Sequence, residues 1–328
     1  MSSADTLTPT LRVESLRVSY AHASGAIDAV RDVSLAVRTG ECLGIVGESG
    51  AGKTQAFMAV MGLLAPNART GGSVRFEGEE ILGLAPDALN RIRGSKLAMI
   101  FQDPMTSLTP HLKVGMQLAE VLVRHRGASW ADAERAALRA LERVRVPAPL
   151  RRLKQYPHEL SGGMRQRVMI GMSLMCEPAL LIADEPTSAL DVTVQAQIVD
   201  LLRALRVEAG LSIALVSHDL GVVAGLADRV AVMYAGRIVE SAPTAELLRG
   251  PRHPYTELLL QCVPNLRSPR TARMPSLPGQ PPAAAAPSRG CAFAPRCPRA
   301  SDLCRTERPP LRDIEPPGEL ACHHPLAP

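Results

Sequence analysis

Aromatic residues and long apolar runs are both scarce in this sequence of 328 residues. Phe, Tyr and Trp together make up 3 % of the chain, which argues against nucleic-acid binding by base stacking. No run approaches the ~18 uninterrupted apolar residues that a membrane-spanning helix needs. The longest candidate, residues 211–234, is interrupted by His218, Asp219, Asp228 and Arg229. Because the first residues also lack the basic and then apolar segments of a secretory signal, we expect a soluble cytosolic protein that meets membranes only through a partner.

The chain also lacks a dense block of basic residues. Its net charge of +5 comes mainly from scattered arginines, and such charges are typical of solvated faces rather than of a nucleic-acid footprint. Hydrophobic residues make up 46 % of the chain and charged residues 21 %, as in ordinary globular proteins. The length is enough for one large or two ordinary domains with a full core. No nucleic-acid partner is therefore predicted.

The hydrophobic pattern predicts a mixed β-sheet. Short strands are expected at residues 11–20, 33–37, 42–46, 73–76, 179–183 and 212–217. Residues 229–234 and 237–240, joined by Ala235-Gly236, predict a hairpin. Tyr20 ends the first strand, where an aromatic ring either stacks on an adenine or packs at the sheet edge.

Composition and periodicity also predict the domain boundaries. A nucleotide-binding domain is expected over residues 1–262, with a helical subdomain inserted at about 86–176. Its clearest helices are expected at 112–126 and, after a Ser129 cap, at 130–146. Residues 263–290 are rich in Pro and Ala and predict a linker. Residues 291–328 form a Cys-rich C-terminal extension.

A glycine-rich segment lies between the apolar run 42–46 and the helical pattern at 55–64. It has the spacing G-x-x-x-x-G-K-[ST] and is called the phosphate loop below; its residues are Gly47, Glu48, Ser49, Gly50, Ala51, Gly52, Lys53 and Thr54. Glycines let backbone N–H groups curl around a polyphosphate, and the positive end of the helix faces the same anion. Lys53 would reach the β- and γ-phosphates, and the Thr54 hydroxyl would ligate Mg²⁺. The segment predicts a nucleoside-triphosphate site.

Two adjacent carboxylates, Asp184 and Glu185, end the apolar run 180–183. Open α/β sheets place ligands at the carboxyl ends of their strands. Asp184 would hold Mg²⁺, and Glu185 would orient or deprotonate the water that attacks the γ-phosphate. Taken in isolation, an acidic strand end exposed to water explains the pair equally well; the phosphate loop favours the catalytic interpretation.

Two further segments allow both a functional and a structural explanation. Ser161, Gly162 and Gly163 precede a helical run, so they form either a second anion site or merely a helix cap. His218 follows the strand predicted at 212–217, where it is either a core histidine or a residue that senses phosphate.

The order of these motifs resembles the ATP-binding-cassette (ABC) ATPases over residues 11 to about 250. The phosphate loop is followed by FQDP at 101–104, LSGGMRQR at 160–167, IADEPTSALD at 182–191 and VSHD at 216–219. The resemblance implies that Tyr20 stacks on adenine, that Gln102 senses Mg²⁺ and the γ-phosphate, and that His218 contacts that phosphate and Glu185. It also implies that Ser161, Gly162 and Gly163 close on ATP bound to a partner cassette, and that residues 188–191 contact that partner.

Four longer segments resemble one group within this family. FQDPMTSLTP at 101–110, PHELSGGMRQR at 157–167, LDVTVQAQI at 190–198 and RHPYT at 252–256 resemble the ATP-binding subunits of dipeptide/oligopeptide permeases, to which nickel-permease cassettes are close. The resemblance implies an α/β P-loop ABC core and ATP hydrolysis that powers peptide import at the cytoplasmic face of the inner membrane. It implies a second ABC subunit, two membrane permeases and, indirectly, an extracytoplasmic peptide-binding protein as partners. Nickel import and a soluble cassette role in DNA repair or translation remain alternatives.

Four of the seven cysteines crowd into the last 38 residues: Cys291, Cys297, Cys304 and Cys322. In a reducing cytosol a metal centre is favoured over disulfides. Structural zinc sites usually use closer cysteine pairs than these. The resemblance implies a [4Fe–4S] cluster at such cysteines, while zinc, unligated thiols and disulfides stay open, as does mixed ligation by His323 and His324.

Overall fold

The computed structural model describes residues 9–22, 25–102, 107–188, 190–262, 279–280, 282, 289–315 and 317–327. The expected linker at 263–290 lies almost wholly outside these residues, as do Asp103, Pro104 and Ala189 of the expected motifs. The chain divides into two compact units. The first unit consists of Met1–Leu11, Val37–Glu41 and Leu84–Leu215, and the second unit of Arg12–Ala36, Cys42–Gly83 and Val216–Pro328.

The second unit carries the phosphate loop and most of the strands. These are β1 (Leu11–His22), β2 (Gly25–Val37), β3 (Cys42–Val46), β4 (Ala68–Phe76), β5 (Glu79–Glu80), β9 (Arg229–Tyr234), β10 (Arg237–Pro243), β11 (Arg312–Ile314) and β12 (Gly318–Leu320). They are ordered β2-β1-β4-β5 in one sheet and β11-β12-β10-β9-β3 in the other. Every residue of β3 is buried, and β3 runs parallel to β9 with Leu43 opposite Arg229. A continuous apolar sequence is what such a two-sided burial requires.

The C-terminal residues add two strands to the sheet that contains β3. Glu240 of β10 pairs with Leu320 of β12, and β12 in turn pairs with β11. The expected hairpin of β9 and β10 is confirmed, with Arg237 opposite Tyr234. Its turn residues Ala235 and Gly236 both have positive φ, 46° and 81°, as the two-residue turns that match strand twist demand. Helices of this unit span Lys53–Val60, Leu220–Leu226, Thr244–Arg249, Pro254–Gln261 and Asp302–Thr306, with a short 3-10 helix at Ala294–Arg296.

The first unit holds the expected helices. They span Pro86–Asn90, Val114–Arg126, Trp130–Arg143, Pro149–Arg152, Gly162–Ser173 and Val192–Ala209, with a 3-10 helix at Pro157–Glu159. Trp130–Arg143 buries Ala133, Ala137 and Leu141 at four-residue intervals, which gives the helix one apolar face. The predicted cap is confirmed, because the Ser129 hydroxyl accepts a hydrogen bond from the Asp132 amide.

Three strands of the first unit have the order β8-β7-β6. They are β6 (Leu97–Ile100), β7 (Leu180–Asp184) and β8 (Ser212–Ser217), whose last two residues belong to the second unit. The helical subdomain expected at about 86–176 included no strand, and the structure has one there, β6, which pairs in parallel with β7. A short apolar run such as Leu-Ala-Met-Ile has no period that separates strand from helix. Among the described residues, no helix is long and apolar enough to cross a membrane.

Candidate nucleotide site

The phosphate loop has a backbone that only glycine allows at two positions. Gly47 has a φ of 154°, and a Cβ there would lie 2.1 Å from the Met233 carbonyl oxygen. Gly52 has a φ of 97°, and its Cβ would lie 2.3 Å from the Ala29 carbonyl oxygen. The loop therefore packs closely against β2 and β9 at these two glycines, which restricts its backbone conformation.

The helix that follows the loop presents its amino end without a side-chain cap. It begins at Lys53 after Gly52, whose missing side chain cannot accept from the first amides. Lys53 is buried, and its ammonium group donates to the carbonyl oxygens of Gly47 at 2.7 Å and Glu48 at 3.0 Å. Thr54 is half-buried in the first turn. Helix amides, a dipole end and a cation thus converge at one loop, which is the physical requirement for binding polyphosphate.

Glu48 does not extend its side chain freely from this loop. Its carboxylate accepts two hydrogen bonds from the guanidinium of Arg296, at 2.7 and 3.0 Å. Its backbone amide donates to the hydroxyl of Tyr255 at 2.9 Å. Sequence reasoning assigned no role to Arg296 or Tyr255; their signals were their positions in the PRCP segment at 295–298 and in the RHPYT segment at 252–256.

Tyr20 lies at the end of β1, half-buried, and its hydroxyl donates a hydrogen bond to Gln55 in the helix after the loop. Burial raises the pKa of Tyr20 above its ordinary value. Both residues belong to the second unit. The ring is thus placed beside the helix that follows the phosphate loop, and the adenine-stacking role stays a prediction.

The carboxylates and Gln102 belong to the first unit. Asp184 is buried at the end of β7. Glu185 follows with a φ of 47°, in the left-handed region that costs a side-chain-bearing residue about 1 kcal/mol or more. The Gln102 side-chain amide donates to the Glu185 carboxylate at 3.1 Å. The structure therefore brings together two predicted site residues that 83 positions separate in the chain.

Ser161, Gly162 and Gly163, called the signature below, lie at the start of a helix. The Ser161 hydroxyl accepts from the Met164 amide at 3.3 Å and so caps the helix Gly162–Ser173. Ser161 and Gly162 are exposed. A Cβ on Gly163 would lie 2.7 Å from Val194, so this glycine permits close packing on the helix Val192–Ala209. The predicted closure on a partner's ATP stays a prediction.

His218 is exposed and is flanked by residues that fix the backbone on both sides. The Ser217 hydroxyl accepts from the Asp219 amide at 2.9 Å, and the Asp219 carboxylate accepts from the Gly221 amide at 2.7 Å. Asp219 thereby caps the helix Leu220–Leu226. The interpretation of His218 as a buried core histidine was wrong, because its ring lies at the surface.

The four C-terminal cysteines share one neighbourhood. Burial, together with the nearby Cys291, Cys297 and Cys304, raises the pKa of the Cys322 thiol to about 11. None of the seven cysteines forms a disulfide bond. Among the described residues, however, no group of three or more His, Cys, Asp or Glu side chains is arranged so that it could hold a metal ion. The four thiols therefore lie near one another but are not arranged as metal ligands.

Neither neighbouring histidine faces the thiols through Nε2. The Nε2 atom of His323 lies 3.0 Å from the Glu307 carbonyl oxygen, and that of His324 lies 2.7 Å from the Ser301 hydroxyl. The Ser301 hydroxyl also lies 3.5 Å from the Cys304 sulfur. Neither contact joins a ring nitrogen to a thiol, so they give no support to mixed ligation.

Two stretches of the chain match known protein families. Residues 30–188 match the family described as ABC transporter, and residues 239–304 match the family described as oligopeptide/dipeptide transporter, C-terminal region. The first match contains the phosphate loop, Gln102, the signature and the carboxylates. The second contains Tyr255, Arg296 and three of the four clustered cysteines.

Curated relatives match over nearly the full length. The chain is 52 % identical over 316 residues to the oligopeptide transport ATP-binding protein OppD of Salmonella typhimurium, covering 96 % of this chain and 94 % of that protein. It is 50 % identical to OppD of Escherichia coli, covering 96 % and 93 %. Its identity to OppD of Haemophilus influenzae is 47 %, covering 91 % and 92 %.

Solved structures show the same fold. One is a dimeric ATP-binding cassette in a post-hydrolysis state bound to ADP and Pi, with a TM-score of 0.65 and 28 % identity, covering 71 % of this chain and 98 % of that chain. Another is CbiO1 from Clostridium perfringens, part of an ABC transporter complex, with a TM-score of 0.62 and 27 % identity, covering 74 % and 91 %. The predicted α/β ABC fold is confirmed. This chain therefore belongs to the ABC-transporter ATPases, as an ATP-hydrolysing subunit of the oligopeptide-transport type.

Proposed function

We propose that the chain powers the uptake of di- and oligopeptides through partner membrane permeases, from the cytoplasmic face of the membrane. The match of residues 239–304 carries this proposal, because the match of residues 30–188 is to ABC transporters in general. The OppD relatives are described as oligopeptide transport proteins. No observation on this chain favours nickel import or a soluble role in DNA repair or translation.

In this proposal the phosphate loop binds the triphosphate of ATP. The loop amides, the helix end and Lys53 neutralise phosphate charge. Thr54, Gln102 and Asp184 would hold Mg²⁺, which neutralises further charge on the phosphates when it is bound. Oxygen donors of this kind suit that ion.

Glu185 acts as the base that orients or deprotonates the attacking water. Gln102 senses the γ-phosphate, and its hydrogen bond to Glu185 couples the catalytic carboxylate to the presence of that phosphate. His218 contacts the same phosphate, and Tyr20 stacks on the adenine. The exposed Ser161-Gly162-Gly163 helix end closes on ATP held by a second cassette, so that ATP stabilises a head-to-tail pair.

The partner claim is tested by purifying the tagged full chain from detergent-solubilised membranes. We expect two membrane permeases and a second, different cassette to co-purify, because ATP closure requires a partner and transport requires a membrane path. In a strain that lacks the chain, uptake of labelled peptide should fall while nickel uptake is kept. ATPase activity that responds to DNA or ribosomes, with no permease recovered, would refute the transport function.

We also propose that Cys291, Cys297, Cys304 and Cys322 hold a [4Fe–4S] cluster, with zinc as the competing occupant. Four thiols and no carboxylate form a soft donor set, which suits either metal centre. Their shared neighbourhood supports the proposal, although ligation requires the thiols to turn toward one another and lose their protons.

Metal analysis tests this assignment. Anaerobically purified full chain should be brown and contain about four irons per chain if all four thiolates hold the cluster. Cys297→Ser should lower the iron content, whereas Cys176→Ala, at a buried cysteine of the first unit, should not. Stoichiometric zinc without iron would show that the occupant is zinc.

A further inference from the structure

Glu48, the second residue of the phosphate loop, is held from two sides by residues beyond position 250. Tyr255 accepts a hydrogen bond from its backbone amide, and Arg296 binds its carboxylate through two nitrogens. Both partners belong to the second unit, like the loop itself. The loop that binds phosphate is thus fixed by the C-terminal part of the chain in both its main chain and its side chain.

The Arg296–Glu48 pair is shielded from water. The Arg296 side chain is 4 % exposed and that of Glu48 is 21 % exposed. The guanidinium also donates to the Tyr234 hydroxyl at 3.3 Å and lies 5.8 Å from the centroid of that ring. Its hydrogen bonds to Glu48 raise the pKa of Arg296 above its ordinary value. A two-nitrogen contact of this kind fixes orientation as well as charge.

Arg296 is itself held in place by the cysteine-rich segment. It ends the 3-10 helix Ala294–Arg296, and its amide donates to the Phe293 carbonyl oxygen at 2.9 Å. Phe293 is buried against Tyr234 and Tyr255, with ring centroids 5.3 Å from each. The Cys291 amide donates to the Cys304 carbonyl oxygen at 2.8 Å, which closes the segment behind this helix.

We propose that Arg296 is a positioning residue for ATP binding, which neutralises Glu48 and ties the conformation of the phosphate loop to the C-terminal cysteine-rich segment. The inference rests on the proposed role of the loop as the ATP site. A free carboxylate at Glu48 would share the loop with a triphosphate and repel it. The Arg296–Glu48 ion pair neutralises the carboxylate, which removes that repulsion, and holds it against the guanidinium.

The test measures fluorescent-ATP affinity and ATPase kinetics of the full chain. Arg296→Gln should weaken ATP binding about tenfold, within the usual range for coupled sites. The KM for ATP should rise by the same factor while kcat stays within about twofold, because a loop contact acts on bound substrate and transition state alike. Arg305→Gln is the matched control, since Arg305 forms a 2.7 Å ion pair in the same extension but is exposed.

The double variant Arg296→Gln/Glu48→Gln separates charge from packing. It leaves no buried unpaired charge, so it should fold even where a single variant is unstable, and it should regain most of the lost ATP affinity. A folded Arg296→Gln protein with parental affinity, or a double variant that binds no better than Arg296→Gln, would overturn the inference. If Lys53→Met also retained parental affinity, the ATP-site assignment itself would fail, which distinguishes the two conclusions.

Discussion

Glu185→Gln is expected to lower ATPase turnover by about a thousandfold while ATP binding is kept. An amide has the size of the carboxylate but cannot take a proton from the attacking water. The neighbouring Gln102 amide, now 3.1 Å from the carboxylate, can still donate to the oxygen of the new side chain. Phosphate release gives kcat, a fluorescent nucleotide gives the dissociation constant, and size-exclusion chromatography with ATP shows whether the closed dimer accumulates.

The matched control for this change is Asp200→Asn. Asp200 is an acidic residue of the same unit, exposed and paired with Arg203 at 2.7 Å. Its variant should hydrolyse ATP at the parental rate, because an exposed ion pair of this kind contributes little. Parental turnover in Glu185→Gln would instead mean that another group activates the water.

Lys53→Met is expected to weaken ATP binding about a hundredfold, because it removes a charge-assisted contact to the phosphates. Methionine keeps the apolar stem of the buried side chain but loses the ammonium group that donates to the Gly47 and Glu48 carbonyl oxygens. The dissociation constant of a fluorescent ATP analogue measures the effect, and thermal unfolding without nucleotide shows whether the variant is folded.

Lys154→Met provides the comparison for this second change, since Lys154 is exposed and lies in the first unit. Its ATP affinity should equal that of the parent. A folded Lys53→Met protein that binds ATP as tightly as the parent would refute the role of Lys53 as the phosphate cation. The two variants also differ in kind: Lys53→Met removes binding, whereas Glu185→Gln removes turnover after binding.

The sequence by itself determined the local parts of the site. Glycine spacing and the Lys-Thr pair predict an anion loop because backbone conformation and charge are local properties. The run Cys42–Val46 was predicted as a strand with the bounds that the structure has, since full burial leaves an unbroken apolar pattern. The order of motifs then identified the family that the comparisons confirm.

The tertiary structure alone decided which distant residues touch. The strand β6 was not predicted, because four apolar residues have no distinguishing period, and its pairing with β7 is visible only in the structure. The left-handed backbone conformation of Glu185 could not be predicted either, because this position does not carry the glycine that usually signals a positive φ. Arg296 and Glu48 lie 248 positions apart. No local propensity links residues so far apart in sequence; they meet because Phe293, three positions before Arg296, packs against Tyr234 of β9 and against Tyr255, whose hydroxyl accepts from the Glu48 amide.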